Sequence, residues 1–400
     1  MNLISKDLVY YYLSKLLPGV CGFSFFIISY NLIGSESVGI FSYYFSLSLL
    51  FVTLGSTWIK QSMLRFFQEL NENERNNISQ WSFIFAFIVS LLFSIFLKIL
   101  SIDSGQTSYF VVFILTFSIF LQTILVTICQ VEGGARKIAF AENIRGGLFV
   151  VSPLITHSLN GSPNHLLFFV SLSYLASAIL LYANRGISKL SVDKERLGIM
   201  FSYGWPMSIW LSLVMTIPYI DKQLLLLRST EVMLGDYASL YELYTRVFGL
   251  IFAPLILYFH PLIMKVYSED GLESARKLIK KAIVVEIIIF ILMLMINETV
   301  GGQVIEFFFP GVDENVTCVI SLLLAQGFIW QLAVLAHKEI ETKRKTRLLM
   351  LLMAIIVIIY FSISYLFFTG NNVYLFPLTS FCLGVTYCVF TMSYSFLCKS

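Results

Sequence analysis

Across 400 residues, 58% are hydrophobic and 16% aromatic while only 13% are charged, against about a quarter in soluble domains, which excludes an ordinary soluble globular protein. A net charge of +3 gives no basic footprint for nucleic acid, and six scattered cysteines without a C-x-x-C pair read as small apolar side chains, not as a disulfide framework or metal site. A hydrocarbon core about 30 Å thick takes roughly 20 apolar residues per helix, and the chain is built from runs of that size.

Twelve such runs predict transmembrane helices over 8–33, 39–58, 81–100, 109–130, 140–159, 165–183, 201–220, 235–259, 279–297, 316–336, 347–368 and 373–397. They are about twice the length of a barrel strand and do not alternate polar with apolar, so the fold class is an all-α integral membrane protein. Leu8 to Ile33 has no small-residue cleavage site and is read as a retained first span. Lys15 stands about two turns into it, with Pro18, Gly19 and Gly22, and either snorkels to the headgroups or faces a polar cavity. Glu142 and Arg145, near the start of the fifth span, read as a local pair.

The basic stretch Arg185 to Arg196 divides the chain into an N-terminal six-helix lobe, 1–184, a cytoplasmic linker, 185–200, and a C-terminal six-helix lobe, 201–400. A faint repeat supports this division. Pro18 precedes Gly39 by 21 residues, and Pro206 precedes Gly235 by 29. An even number of spans per half sets both halves the same way up, the parallel-repeat arrangement in which substrate binds between the halves, enclosing a central cavity.

Lysine and arginine mark the cytoplasmic side of a membrane protein. They crowd the even-numbered connections, for example Arg136 and Lys137, or Lys338 to Arg347, while 34–38, 159–164, 298–315 and 369–372 contain none. Both termini are therefore expected in the cytoplasm. The run Lys338 to Arg347 serves as a topology anchor or as a docking place for lipid phosphate. Gly271 to Lys281 reads as an amphipathic lead-in to the ninth span, with Leu272, Ala275, Leu278 and Ile279 packing on the membrane surface.

The residues most open to a functional reading are the charges inside spans, since each is costly in lipid. On the eighth span Gly235, Ser239, Glu242, Arg246, Gly249 and Ala253 share one helix face, either water-lined or packed on another helix. Glu242 and Arg246 are also spaced i, i+4 with the acid first, so they can simply bridge each other. Alternatively, Arg246 presents its fork to a substrate phosphate and Glu242 tunes or releases it. Asp221 and Lys222 close the seventh span, as an interfacial ion pair or as substrate contacts. Glu286 stands alone among Ile283, Val284, Val285, Ile287, Ile288 and Ile289; buried without a partner it would be a proton site, and a cation from another helix is the other reading. Pro18, Pro153, Pro206, Pro218 and Pro254 can kink their helices. No phosphate-binding loop of the G-x-x-x-x-G-K type and no dinucleotide fingerprint is present, and the four histidines lie far apart, so no enzyme activity, cofactor or metal is implied.

Six motifs then combine. Tyr203-Gly204-Trp205-Pro206 leads into the seventh span, Asp221-Lys222 closes it, and Leu234-Gly235-Asp236-Tyr237 follows about a dozen residues on; Gly39-Ile40-Phe41-Ser42, Arg65-Phe66-Phe67 and Phe309-Pro310-Gly311 complete the set. In order and spacing this resembles the polysaccharide-transporter family of the MOP flippase superfamily, and within it the Wzx-type O-antigen flippases, along essentially the whole chain. The resemblance implies translocation of undecaprenyl-pyrophosphate-linked oligosaccharide repeat units across the bacterial inner membrane, with membrane lipids as surroundings. The polymerase and chain-length regulator of the same pathway are the implied protein partners. Arg246 and Lys15 would offset the diphosphate while aromatic side chains stack on sugars. Two rivals share the composition. A membrane-embedded polymerase calls for a long extracytoplasmic loop, and the longest here, Glu298 to Asn315, has 18 residues; a multidrug or small-solute antiporter of the same superfamily calls for more cavity acids.

Overall fold

The computed structural model describes residues 6–67, 72–99, 107–182, 194–317, 319–343 and 345–397. Among them every regular element is a helix. In chain order these are α1 Lys6–Ile33, α2 Ser35–Phe66, α3 Glu72–Ile99, α4 Tyr109–Val131, α5 Ala135–Ser158, α6 Pro163–Tyr182, α7 Lys194–Arg228, α8 Glu231–Ile296, a π-helical turn Asn297–Gly301, α9 Gly302–Phe308, α10 Glu314–Thr317, α11 Ile320–Ala336, α12 Lys338–Thr342, α13 Thr346–Phe367 and α14 Leu375–Leu397. Ten of them are long and apolar enough to cross a membrane. The expected eighth and ninth spans fall in the two arms of α8. In lipid only internally bonded backbone is tolerated, which is why runs of Ile, Leu, Phe and Val become helices here. Side chains such as Ile179 and Leu366, 68% and 72% exposed, form an apolar outer surface suited to lipid rather than water. Hydroxyls inside the spans turn back to their own helix, as Thr116 and Ser171 donate to Val112 O and Leu167 O.

The chain divides into two compact units, Met1–Tyr219 and Ile220–Ser400, and the division falls inside α7. The basic linker expected over 185–200 lies for its greater part outside the described residues, as do Cys318 and Cys398.

In the first unit α1 packs on α5, and α4 lies against α2, α3 and α6. Phe25, Phe41, Phe45, Phe149 and Tyr174 fill its middle, with the Phe25 and Phe149 rings 4.2 Å apart. Two motif segments meet here: Phe66 packs edge-on against Tyr203 at 5.3 Å, and Ser62 donates to Met200 O at 2.6 Å.

In the second unit α11 packs on α8 and α14, and α13 on α14. Three expectations need correction here. First, α8 runs helically through Pro254 and breaks instead at Gly271, whose φ of 81° and ψ of −176° no side-chain-bearing residue adopts easily. Second, the amphipathic face after that break packs on protein, not on a membrane surface: Ala275, Ile279 and Ala282 form one buried cluster with Ile263 and Leu335. Third, the connection read as 298–315 is helical through Phe308, because Ile305 and Phe309, 2% and 1% exposed, continue the buried apolar face. Two lysines of the basic run after α11, Lys338 and Lys343, are paired within the protein. Arg276 grips Glu339 with both fork nitrogens at 2.8 and 2.7 Å, Lys343 adds a contact at 3.0 Å, and Lys338 meets Glu341 at 2.6 Å. The Arg276 guanidinium is held above its ordinary pKa by this bond.

Candidate functional site

The seventh span was expected to end at Asp221-Lys222. The helix instead continues to Arg228, and the two charges lie inside it, 0% and 1% exposed. They survive there because neighbouring helices supply partners. Successive helical residues point about 100° apart, so Asp221 and Lys222 reach different neighbours instead of each other.

Asp221 accepts a hydrogen bond from Tyr237 on α8 at 2.9 Å and a short one from Tyr360 on α13. Tyr360 also approaches Phe376 O at 3.5 Å, and the Tyr237 ring packs 5.9 Å from that of Phe376. Lys222 extends to Glu242 Oε1 at 3.5 Å and lies 5.6 Å from the centre of the Tyr241 ring. Glu242 Oε2 faces Arg246 at 3.5 Å, one turn along α8. The site thus has a closed end, where Asp221 is locked between two tyrosines, and a more open end. There the Glu242 and Arg246 side chains keep 15% and 21% of their exposure. Gly249, one turn further on the same face, is exposed with nothing within 4 Å of where a Cβ would stand. The stripe read from the sequence therefore changes character along its length, packed at Gly235 and Ser239 and more open at Glu242, Arg246 and Gly249.

Three motifs prove to be physically joined. Tyr237 bonds Asp221, linking Leu-Gly-Asp-Tyr to Asp-Lys, and Asp236 Oδ2 accepts from the backbone N of Asp313 at 3.0 Å, two residues beyond Phe-Pro-Gly. Thr230 caps the start of α8 through Met233 N at 3.1 Å.

The other sequence candidates lie elsewhere. Lys15 is exposed on α1, in the first unit. Glu286, on the second arm of α8, is fully buried, and neither of its carboxylate oxygens has a hydrogen-bond partner among the described residues. Glu142 and Arg145 pair at 2.8 Å in the first unit, with Gln122 also donating to Glu142 in a short bond and the guanidinium 4.8 Å from the Tyr174 ring centre. Among the described residues no group of three or more His, Cys, Asp or Glu is placed to hold a metal ion.

Sequence reasoning paired Glu242 with Arg246 but missed Lys222 as the second cation on the same carboxylate. It also missed Tyr241 and Tyr360. A tyrosine alone in the run Ile355 to Phe361 was the only sign for Tyr360, and tyrosines are common in this chain.

No protein-family model and no curated protein sequence matches the chain. Solved structures do. An inward-facing conformation of a multidrug resistance MATE family transporter of the MOP superfamily is 13% identical and superimposes with a TM-score of 0.76, over 97% of this chain and 99% of that one. The chain has the fold of MOP-superfamily transporters. The lipid II flippase MurJ in its inward closed conformation follows at 11% identity and a TM-score of 0.73, covering 97% and 89%. A MOP superfamily transporter from Pyrococcus furiosus gives 12% and 0.63, covering 97% and 93%. At identities of 11–13% these likenesses are likenesses of fold.

Proposed function

We propose that this protein is a flippase that moves undecaprenyl-pyrophosphate-linked oligosaccharide repeat units across the bacterial inner membrane for lipopolysaccharide O-antigen synthesis. The observation that carries the reading is the open end of the unit 2 cluster. Glu242 divides its charge between Lys222 and Arg246, both at 3.5 Å, which is longer than a charge-assisted hydrogen bond usually is. A diphosphate offers Arg246 a bidentate partner that the shared carboxylate does not, and Glu242 can then turn wholly to Lys222. The likeness to a lipid II flippase over nearly the whole chain, together with the six motifs, supports a lipid-linked substrate. The distribution of basic residues supports cytoplasmic termini.

The test is to delete the gene and restore it on a plasmid. Loss of surface repeat units with accumulation of lipid-linked units inside, both reversed by the plasmid, supports the flippase. Single units still reaching the surface without chain formation point to a polymerase instead. Arg246→Ala is expected to lower export by about 10- to 100-fold at unchanged protein level, corresponding to a lost charge-assisted bond of about 1.5–3 kcal/mol, and Arg246→Lys to recover only part of it. Undiminished export by Arg246→Ala removes this residue from the site.

The TM-score of 0.76 to a multidrug transporter favours a second reading, small-solute antiport. It predicts that deletion raises sensitivity to cationic drugs and leaves surface glycan intact.

A further inference from the structure

The second arm of α8 presents three lysines that the site described above does not use. Lys280 and Lys281 lie three and four residues beyond Lys277, so the three side chains leave one side of the helix, and all three are exposed. The opposite side of the same turns is packed. Ala275, Ile279, Ala282 and Glu286 are buried, the first three of them in a cluster with Ile263 and Leu335. At about 100° per residue these four centre on one direction, and the lysines centre on the direction facing away from it. The packing that holds the arm therefore fixes where the lysines point.

Arg276 stands between the two sides and is gripped by Glu339, which Lys343 also meets. Glu273 is the one acid between Gly271 and Lys281, and it is exposed beside the three lysines, which leaves that side with an excess of two positive charges. Lys338 and Lys343, in the stretch read from the sequence as a docking place for lipid phosphate, are bonded to Glu341 and Glu339 instead.

What continues the line of the lysines along the helix is apolar and exposed. Val284, Ile288, Ile291 and Met295 are 54%, 53%, 50% and 61% exposed. From Val284 to Met295 the helix rises about 17 Å, close to half of a hydrocarbon core of roughly 30 Å, which is the depth of one leaflet. The lysines thus stand at headgroup level, at the end of the helix expected on the cytoplasmic side, and directly below them a leaflet-deep line of aliphatic side chains faces outward. We propose that Lys277, Lys280 and Lys281 form a binding site for an anionic phospholipid of the cytoplasmic leaflet. The three ammonium groups hold its phosphate, and an acyl chain lies along Val284, Ile288, Ile291 and Met295. The excess positive charge selects a headgroup with net negative charge over a zwitterionic one. Such a lipid seats the second arm of α8 on the leaflet whatever the protein transports.

The test uses the detergent-solubilised full chain carrying Ile288→Trp, titrated with phosphatidylglycerol brominated on its acyl chains, with the fluorescence of the chain lacking that tryptophan subtracted. The lipid should quench the new tryptophan at a far lower concentration than brominated phosphatidylcholine does. Its half-quenching concentration should rise about fivefold for each single change among Lys277→Gln, Lys280→Gln and Lys281→Gln, and about 100-fold for the three together. The three changes to arginine should leave it nearly unaltered. Equal quenching by the two lipids, or a triple glutamine variant that titrates like the three lysines, overturns the site. Displacement of the lipid by millimolar inorganic diphosphate at constant ionic strength also overturns it, because the ligand would then be a soluble anion. If the triple variant does not accumulate in the membrane, the three single changes decide the matter, and a rise below twofold in all of them counts against the proposal.

Discussion

Asp221→Ala is expected to destabilise the second unit by about 3–5 kcal/mol, because it strands two buried tyrosine hydroxyls at once and each bond to a charged acceptor contributes about 1.5–3 kcal/mol. Tyr237 loses its acceptor at 2.9 Å, and Tyr360 loses its charged acceptor while the distant Phe376 O stays at 3.5 Å. Against a typical net stability of about 5–15 kcal/mol that is a large share, and at about 2–4 °C per kcal/mol the midpoint of thermal unfolding should drop by roughly 10 °C. Asp221→Asn retains one acceptor oxygen and should lose about half as much. Tyr360→Phe combined with Asp221→Ala should cost less than the sum of the two single changes, since the bond they share can be removed only once. Asp221→Ala melting with the natural protein would show that Asp221 does not anchor α7 to α8 and α13.

Gly204→Ala should be the most damaging single-methyl change in the first unit. A Cβ there would stand 2.4 Å from the carbonyl oxygen of Trp58 and 2.6 Å from its Cα, both backbone atoms of α2 that no rotamer change can move aside. Overpacking in a filled core costs about 1–3 kcal/mol, and a clash with backbone belongs at or above the upper end. The expected result is a sharp fall in monodisperse protein on size-exclusion chromatography after mild heating. Gly249→Ala is the control, because nothing lies within 4 Å of its would-be Cβ. Replacing a helical glycine with alanine there should be neutral or stabilising by up to about 1 kcal/mol. Equal behaviour of the two variants would mean that α7 and α2 do not approach at Gly204.

These two residues also show what the family-like motifs do. Gly204 of Tyr-Gly-x-Pro allows a close approach, Asp221 of Asp-Lys receives the tyrosine of Leu-Gly-Asp-Tyr, and Asp236 fastens the chain beyond Phe-Pro-Gly. Their spacing is a packing requirement of the fold. The open charges Glu242 and Arg246, where a substrate can differ, belong to none of the quoted motifs.

What the sequence determined by itself is whatever depends on near neighbours along the chain. Apolar runs of roughly 20 residues become helices because unbonded backbone is not tolerated in lipid, and Glu242 and Arg246 bridge because i, i+4 positions adjoin on any helix. The partners that decide each charge's role come from far along the chain and needed the tertiary structure. Lys222 shares Glu242 from 20 residues away, Tyr360 reaches Asp221 across 139, and Glu286 is fully buried although its own stretch of helix is lined with exposed apolar residues. The break at Gly271 is of the same kind. Glycine merely permits that backbone turn, and it is the packing of Ala275, Ile279 and Ala282 on Ile263 and Leu335 that folds one arm against the other. Local geometry is written in residue spacing, whereas burial and partnership exist only once distant helices have met.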